Sequence, residues 1–336
     1  MIAKFAAAAL AATLFAVPAL ADEPTTLRFA IPGSGQASPT WSMLWEPWIA
    51  EVEKDSNGAL KLQPFFGGTL ANLFNVYDRV ASAVADMGTG VHGSIGGKFP
   101  LSSVVELPSD IAGHEGAAGF WKIYQDGLIA SEYGEVKVLD LFIYPQSFLD
   151  TTKPIAKLDD IKGLKLATLT RADAEMANRL GAAPVTTSPV TVYEMIQRRG
   201  ADGIIIGWLG LVGFKLVEVT NQHVLVGLGS GGAFLIMNKD AYEKLPGPAR
   251  AALDKHSGYA ASKAAGEAMD RIYARSEGVV RGLPGHAIGP LAPVEFERYR
   301  KEIATPVVGE WSARIPNGAA ILAAYRAEVM KVRAEK

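Results

Sequence analysis

The chain contains no cysteine. That excludes disulfide cross-links, thiolate metal sites and thiol nucleophiles, and it leaves the fold to be held by its core alone. Charge of one sign is also missing. Lys and Arg together number 33 against 35 Asp and Glu, a formal net charge of −2, with no basic run. Nothing here supports nucleic-acid binding. The five histidines (His92, His114, His223, His256 and His286) never stand at i, i+4 spacing or in a metal-ligating motif, so no metal site is expected. There is no GxSxG elbow, phosphate-binding Walker loop or SxxK. Gly88-Thr89-Gly90-Val91-His92-Gly93 spells GxGxxG, but the residues after it do not open a helix, as a dinucleotide site requires. No cofactor is expected.

Past the amino terminus, long uncharged apolar runs are lacking too. The one such run is Phe5–Leu20, preceded by Lys4 and followed by the small-x-small triplet Ala19-Leu20-Ala21. It is shorter than the roughly 20 residues a membrane span needs and is interrupted by Pro18. Residues 1–21 therefore read as a secretory signal peptide, and a soluble periplasmic protein beginning at Asp22 is expected. At 336 residues the chain exceeds what one core usually organises, roughly 250 to 300 residues, so two domains are expected.

What is present is a repeating α/β rhythm. Leu27–Ile31 alternates as a strand, and Trp41, Leu44, Trp45, Trp48, Ile49 and Val52 recur at helical spacing. A strand around Leu60–Phe66, a helix marked by Leu73, Val76, Tyr77, Val80 and Val84, and a short strand Met87–Val91 follow. This β-α-β-α-β opening argues for a parallel sheet with helices on its faces. A helix over 120–129 and a strand over 136–142 come next. The rhythm restarts after Gly163: Thr170 and Asp173 make a capping box for a helix to Leu180, and Ser188-Pro189 opens another to Arg199. Segments 203–209, 223–226 and 233–238 read as strands, and the alanine-rich stretch 247–282 reads as one long helix or two end to end. Helices over 293–303 and 318–334 close the chain. With no linker between the two rhythms, the chain is expected to cross between domains more than once.

Trp45 and Trp48 read as core residues. Trp41 and Trp208 lie at element ends, where ligands bind in parallel α/β sheets, so contact with a ligand is as good a reading as packing.

An ordered series of segments resembles the solute-binding subunits of TRAP transporters, the DctP-like family. It comprises Leu27-Arg28-Phe29-Ala30, Gly67-Gly68-Thr69-Leu70, Glu106-Leu107-Pro108, Lys153-Pro154-Ile155, Leu158–Leu166, Leu180–Val185, Val192–Gln197 and Ala201-Asp202-Gly203. The resemblance implies a two-lobed α/β periplasmic binding protein with hinge strands, a long helix spanning both lobes, and a small molecule enclosed between them. It also implies the small and large membrane subunits of a permease as partners, and no catalysis. Residues 22–148 with 237–274 are the expected first domain, and 149–236 with 275–336 the second. A monomer is expected. An exported α/β hydrolase or lyase is the alternative of another class, but no nucleophile stands beside a positioned base.

Two departures bear on the ligand. The family's strand after Gly-Leu-Lys usually ends in an arginine that grips a carboxylate, and here the position is Ala167. The family's polar positions after the Asp-Gly are here Ile204-Ile205-Ile206, then Gly207-Trp208. Arg171, in the first turn of the helix capped by Thr170, is the candidate replacement cation, since a helix amino end already favours an anion. Ile204, Ile206 and Trp208 then enclose an apolar body, and the expected ligand is a hydrophobic or aromatic monocarboxylate. Tyr144, Gln146 and His92, at or beside strand ends, complete the candidate set. If Arg171 is a surface residue, then Trp41, Trp208, Tyr144 and Phe148 form a possible cage for an amine.

Overall fold

The computed structural model describes residues 23–335 apart from position 34, so the expected signal peptide lies outside the described residues. Strand β1 (Thr25–Ile31) buries Leu27, Phe29 and Ile31, as its alternation requires. A π-helical turn at Trp41–Trp45 runs into α1 (Glu46–Asp55), and the pair buries the apolar stripe read from the sequence. Then come β2 (Leu60–Phe66), α2 (Val76–Ala81) and β3 (Met87–Val91). Strand β1 pairs parallel with both β2 and β3. Helix α3 (Gly113–Gln125) begins well before the expected 120. Its glycines look like loop in sequence but form a packing face: a Cβ on Gly116 would lie 2.2 Å from Ile143, and one on Gly119 2.8 Å from Tyr325.

Strand β4 (Val136–Thr151) leaves the first lobe and enters the second. There follow β5 (Lys165–Thr168), α4 (Arg171–Arg179), β6 (Ala183–Thr186), α5 (Val192–Gln197), β7 (Gly203–Ile206) and α6 (Trp208–Gly213). Thr170 caps α4 as expected, its hydroxyl accepting from the Asp173 N–H at 3.1 Å while the Asp173 carboxylate accepts from the Thr170 N–H at 3.0 Å. Strand β8 (Gln222–Asn238) then returns to the first lobe. The remaining elements are α7 (Lys239–Glu243), α8 (Gly247–Lys255), α9 (Tyr259–Arg281), β9 (Ala287–Pro290), α10 (Pro293–Tyr299), α11 (Thr305–Arg314) and α12 (Gly318–Ala334).

The strands form one continuous sheet in the order β2-β1-β3-β8-β4-β7-β5-β6, with β9 on β8. The long antiparallel pair β4 and β8 crosses from lobe to lobe, and its register shifts between Tyr144 and Leu149, at the crossing. The sequence suggests two separate short strands where β8 runs unbroken, because Gly227, Gly229, Gly231 and Gly232 look like a loop. They are glycines because other groups approach the strand: at Gly229 (φ +132°) a Cβ would stand 2.6 Å from the Glu106 carbonyl oxygen.

Each lobe packs helices on both faces of its part of the sheet. In the first lobe, one face buries Phe29, Trp45, Leu62, Leu235 and Met269, the other Val76, Phe120, Phe234 and Tyr325. In the second, one face buries Leu149, Leu166, Ala177 and Tyr299, the other Phe148, Ala167, Ile204, Trp208 and Val280. The alanine-rich stretch breaks at Gly258 (φ +89°). Helix α9 spans both lobes, with Met269 and Ile272 in the first-lobe core and Val280 in the second. The expected boundary fails at the carboxyl end. Helix α12 buries Ile321, Tyr325 and Val329 in the first lobe, not the second, because the glycine face of α3 receives Tyr325.

Candidate functional site

The carboxyl ends of β1, β3, β5 and β7 face the space between the lobes, where ligands sit in sheets of this kind. The lobes touch there. Gly93, just past β3, lies close against the second lobe, since a Cβ there would stand 3.1 Å from Glu106 Oε1 and 3.2 Å from Thr170. Burial first, and the nearby Asp173 carboxylate next, push the Glu106 carboxyl up to about 8. Leu209, in α6 of the second lobe, packs against the first-lobe core together with Met43, Phe66 and Tyr144.

An aromatic wall lines this junction. Trp41 meets Phe66 edge to face, centroids 4.9 Å apart. Tyr144, on β4, lies over Gly231 of β8 and near Val91 at the end of β3, within 3.8 Å of where a Gly231 Cβ would be. Trp208 stacks at a tilt on Phe148, centroids 4.2 Å apart. Tyr273, from α9, presses its phenol oxygen to within 1.9 Å of the place a Gly207 Cβ would take, so only glycine fits at the end of β7.

Of the expected site residues, Trp41 is buried at the edge of the first-lobe core with Tyr144 half-buried against it, and Trp208 is buried in the second-lobe core. Ile204 and Ile206 are buried in the second-lobe core beneath Trp208, not in an open pocket wall, because β7 has helices on one face and α4-side packing on the other. Gln146 braces the crossing strands. Its amide donates to Ser109 Oγ at 2.8 Å, and its carbonyl oxygen accepts from the Gly229 N–H at 3.3 Å. His92 is a correction. Its ring is 3% exposed among Phe99, Phe120 and Phe234, with Nε2 bonded to the Tyr133 hydroxyl at 2.6 Å. Burial lowers its pKa to about 4, so it is a neutral core residue.

Arg171 is the second correction. Its side chain is 81% exposed and its Nε donates to Glu175 at 2.8 Å. Helix α4 buries Met176 and Ala177, and Arg171 falls with Glu175 on the opposite, solvated face. Tyr273, Phe66 and Leu209 were not among the sequence candidates. Tyr273 lies inside an alanine-rich amphipathic helix, where a tyrosine carries no distinguishing signal.

A chain of polar groups runs behind Trp208. Asp150 Oδ1 and His223 Nδ1 share a hydrogen bond at 2.6 Å, and His223 Nε2 bonds His286 Nδ1 at 2.9 Å. Both nitrogens of His223 are thus hydrogen-bonded within the protein. A crevice of about 650 Å³ opens between Glu106, Leu107 and Pro108 and the Arg179 side of α4. There Arg179 is tied to Glu310 of α11.

This two-lobed architecture is shared with known binding proteins. The sequence profile of the bacterial extracellular solute-binding proteins, family 7, matches residues 34–277. The chain belongs to this family. A relative from Comamonas testosteroni, described as outer membrane transporter protein TsaT, is 26% identical over 303 residues, spanning 87% of this chain and 88% of that one. Among solved structures, a TRAP solute-binding protein of Rhodoferax ferrireducens with copurified benzoate superposes with a TM-score of 0.84 at 24% identity, covering 91% of this chain and 98% of its own. One from Bordetella bronchiseptica with bound mandelate gives 0.83 at 25% identity, covering 92% and 100%. A marine metagenome protein with 3-hydroxybenzoate gives 0.84 at 24%, covering 92% and 98%. The protein is a TRAP-type solute-binding protein. Among the described residues, no helix is long and apolar enough to cross a membrane.

Proposed function

We propose that this solute-binding protein captures an aromatic or hydrophobic monocarboxylate between its lobes and hands it to the small and large subunits of a TRAP permease. It acts in the periplasm after cleavage of residues 1–21 and catalyses nothing. The observation that carries the ligand class is the aromatic wall, with Trp41, Phe66 and Tyr144 on the first-lobe side and Trp208 and Tyr273 on the second. Such a wall suits a flat apolar body. The solved relatives that hold benzoate, 3-hydroxybenzoate and mandelate support the same class. An amine cage is disfavoured, because Trp41 and Trp208 spend their ring contacts on Phe66 and Phe148 instead of converging on one point.

Mass spectrometry of the small molecule released on denaturing the purified protein tests the ligand class directly. A ligand that prefers the closed state should raise stability by about 2.7 kcal/mol at a hundredfold excess over Kd. It should also reduce the radius of gyration in X-ray scattering. Release of a polyamine or a sugar, or a melting temperature indifferent to aromatic acids, would refute this ligand class.

A further inference from the structure

An aromatic acid needs a grip for its carboxylate, and the expected cations are absent from the wall: position 167 is alanine with 0% exposure, and Arg171 faces solvent. Two phenols stand where the grip is needed. Tyr144 rests beside Val91, at the carboxyl end of β3 in the first lobe. Tyr273 rests on Gly207, at the carboxyl end of β7 in the second. Each is half-buried, and neither hydroxyl has a hydrogen-bond partner among the described residues. Neither is among the fully buried orphaned groups, so each hydroxyl is open to a partner from the cleft and keeps its hydrogen free to donate.

We infer that Tyr144 and Tyr273, one from each side of the cleft, donate their phenol hydrogens to the carboxylate of the ligand and replace a guanidinium as the specificity-determining head-group contact. This assignment rests on the monocarboxylate reading above. Burial holds both phenols protonated, Tyr144 pushed up to about 12 and Tyr273 further, so both remain donors at any physiological pH. Two neutral donors satisfy a single charge without supplying a counter-charge. A second carboxylate on the same ligand would enter the cleft unpaired, so dicarboxylates are rejected. Gly207 is part of the device, because any side chain there displaces the Tyr273 hydroxyl. The grip is complete only when the lobes close, which couples head-group recognition to the closed state.

The test measures benzoate, benzamide and terephthalate binding by calorimetry to the full mature protein and to Tyr144→Phe and Tyr273→Phe. Each variant should lose roughly tenfold or more in benzoate affinity, the size expected for a hydrogen bond to a charged group. The weaker binding of benzamide should change less than the binding of benzoate, and terephthalate should not bind the wild type. The wild type should also show a tyrosine ultraviolet difference spectrum on adding benzoate. That measurement needs no variant and stands even if a variant folds poorly. Wild-type binding of benzoate with both variants within twofold, or with no tyrosine difference signal, overturns the phenol assignment alone. Failure of the wild type to bind benzoate, 3-hydroxybenzoate or mandelate overturns the ligand reading beneath it.

Discussion

His92 offers a direct measurement of how the first-lobe core depends on pH. Its imidazole is enclosed by Phe99, Phe120, Phe234 and Tyr133, and burial lowers its pKa from 6.5 to about 4. In the unfolded chain it titrates near 6.5, so between pH 6.5 and 4 the unfolded state holds more protons and stability falls as the solution is acidified. The two pKa values give a loss of about 2 kcal/mol on going from pH 7.5 to pH 5 from this one group. Other groups also titrate in that range, so the comparison should be with His92→Phe, which keeps an aromatic ring in the cluster. Tyr133 keeps a partner in that variant, because its hydroxyl also bonds Ser102 Oγ at 2.9 Å. Urea unfolding followed by tryptophan fluorescence at both pH values yields the difference in stability between wild type and variant. That difference should shift by about 2 kcal/mol in favour of the variant at pH 5. A difference that stays constant within 0.5 kcal/mol would show that His92 is solvated or carries a proton in the folded state.

Further outcomes follow from the same packing and charges. Gly90→Ala should destabilise by about 1 to 3 kcal/mol through overpacking, since its Cβ would lie 2.6 Å from Phe234 and 2.7 Å from Val76, and thermal melts should show it. Glu106→Gln should flatten the pH profile between pH 4.5 and 8. A carboxyl raised from 4.5 to about 8 stabilises the fold below pH 4.5, and that contribution is lost as pH rises through 8, which unfolding titrations of wild type and variant will separate. Arg171→Ala should leave ligand affinity within twofold and stability within about 0.5 kcal/mol by calorimetry, because it removes only an exposed i, i+4 pair.

The elements that recur at 2.0 or 3.6 residue spacing were legible in the chain by itself: β1, the Trp41–Val52 stripe, the Thr170 cap of α4 and the restart of the α/β rhythm after Gly163. So was the missing arginine at position 167, because it is a matter of residue identity. Glycine misled in α3 and β8, where it imitated loop, because a sequence does not show which neighbour occupies the space beside a missing Cβ. Local spacing also placed Arg171 near an anion and His92 at a strand end. The helix face that turns Arg171 to solvent and the aromatic cluster that swallows His92 exist only once α4 and α3 are packed. Tyr144 and Tyr273 are 129 positions apart in the chain, and only the crossing of β4 with β8 and the run of α9 across both lobes place one on each side of the junction. Residue types and periods fix what each segment can bury, whereas the meeting of distant polar atoms is decided by which buried faces find one another.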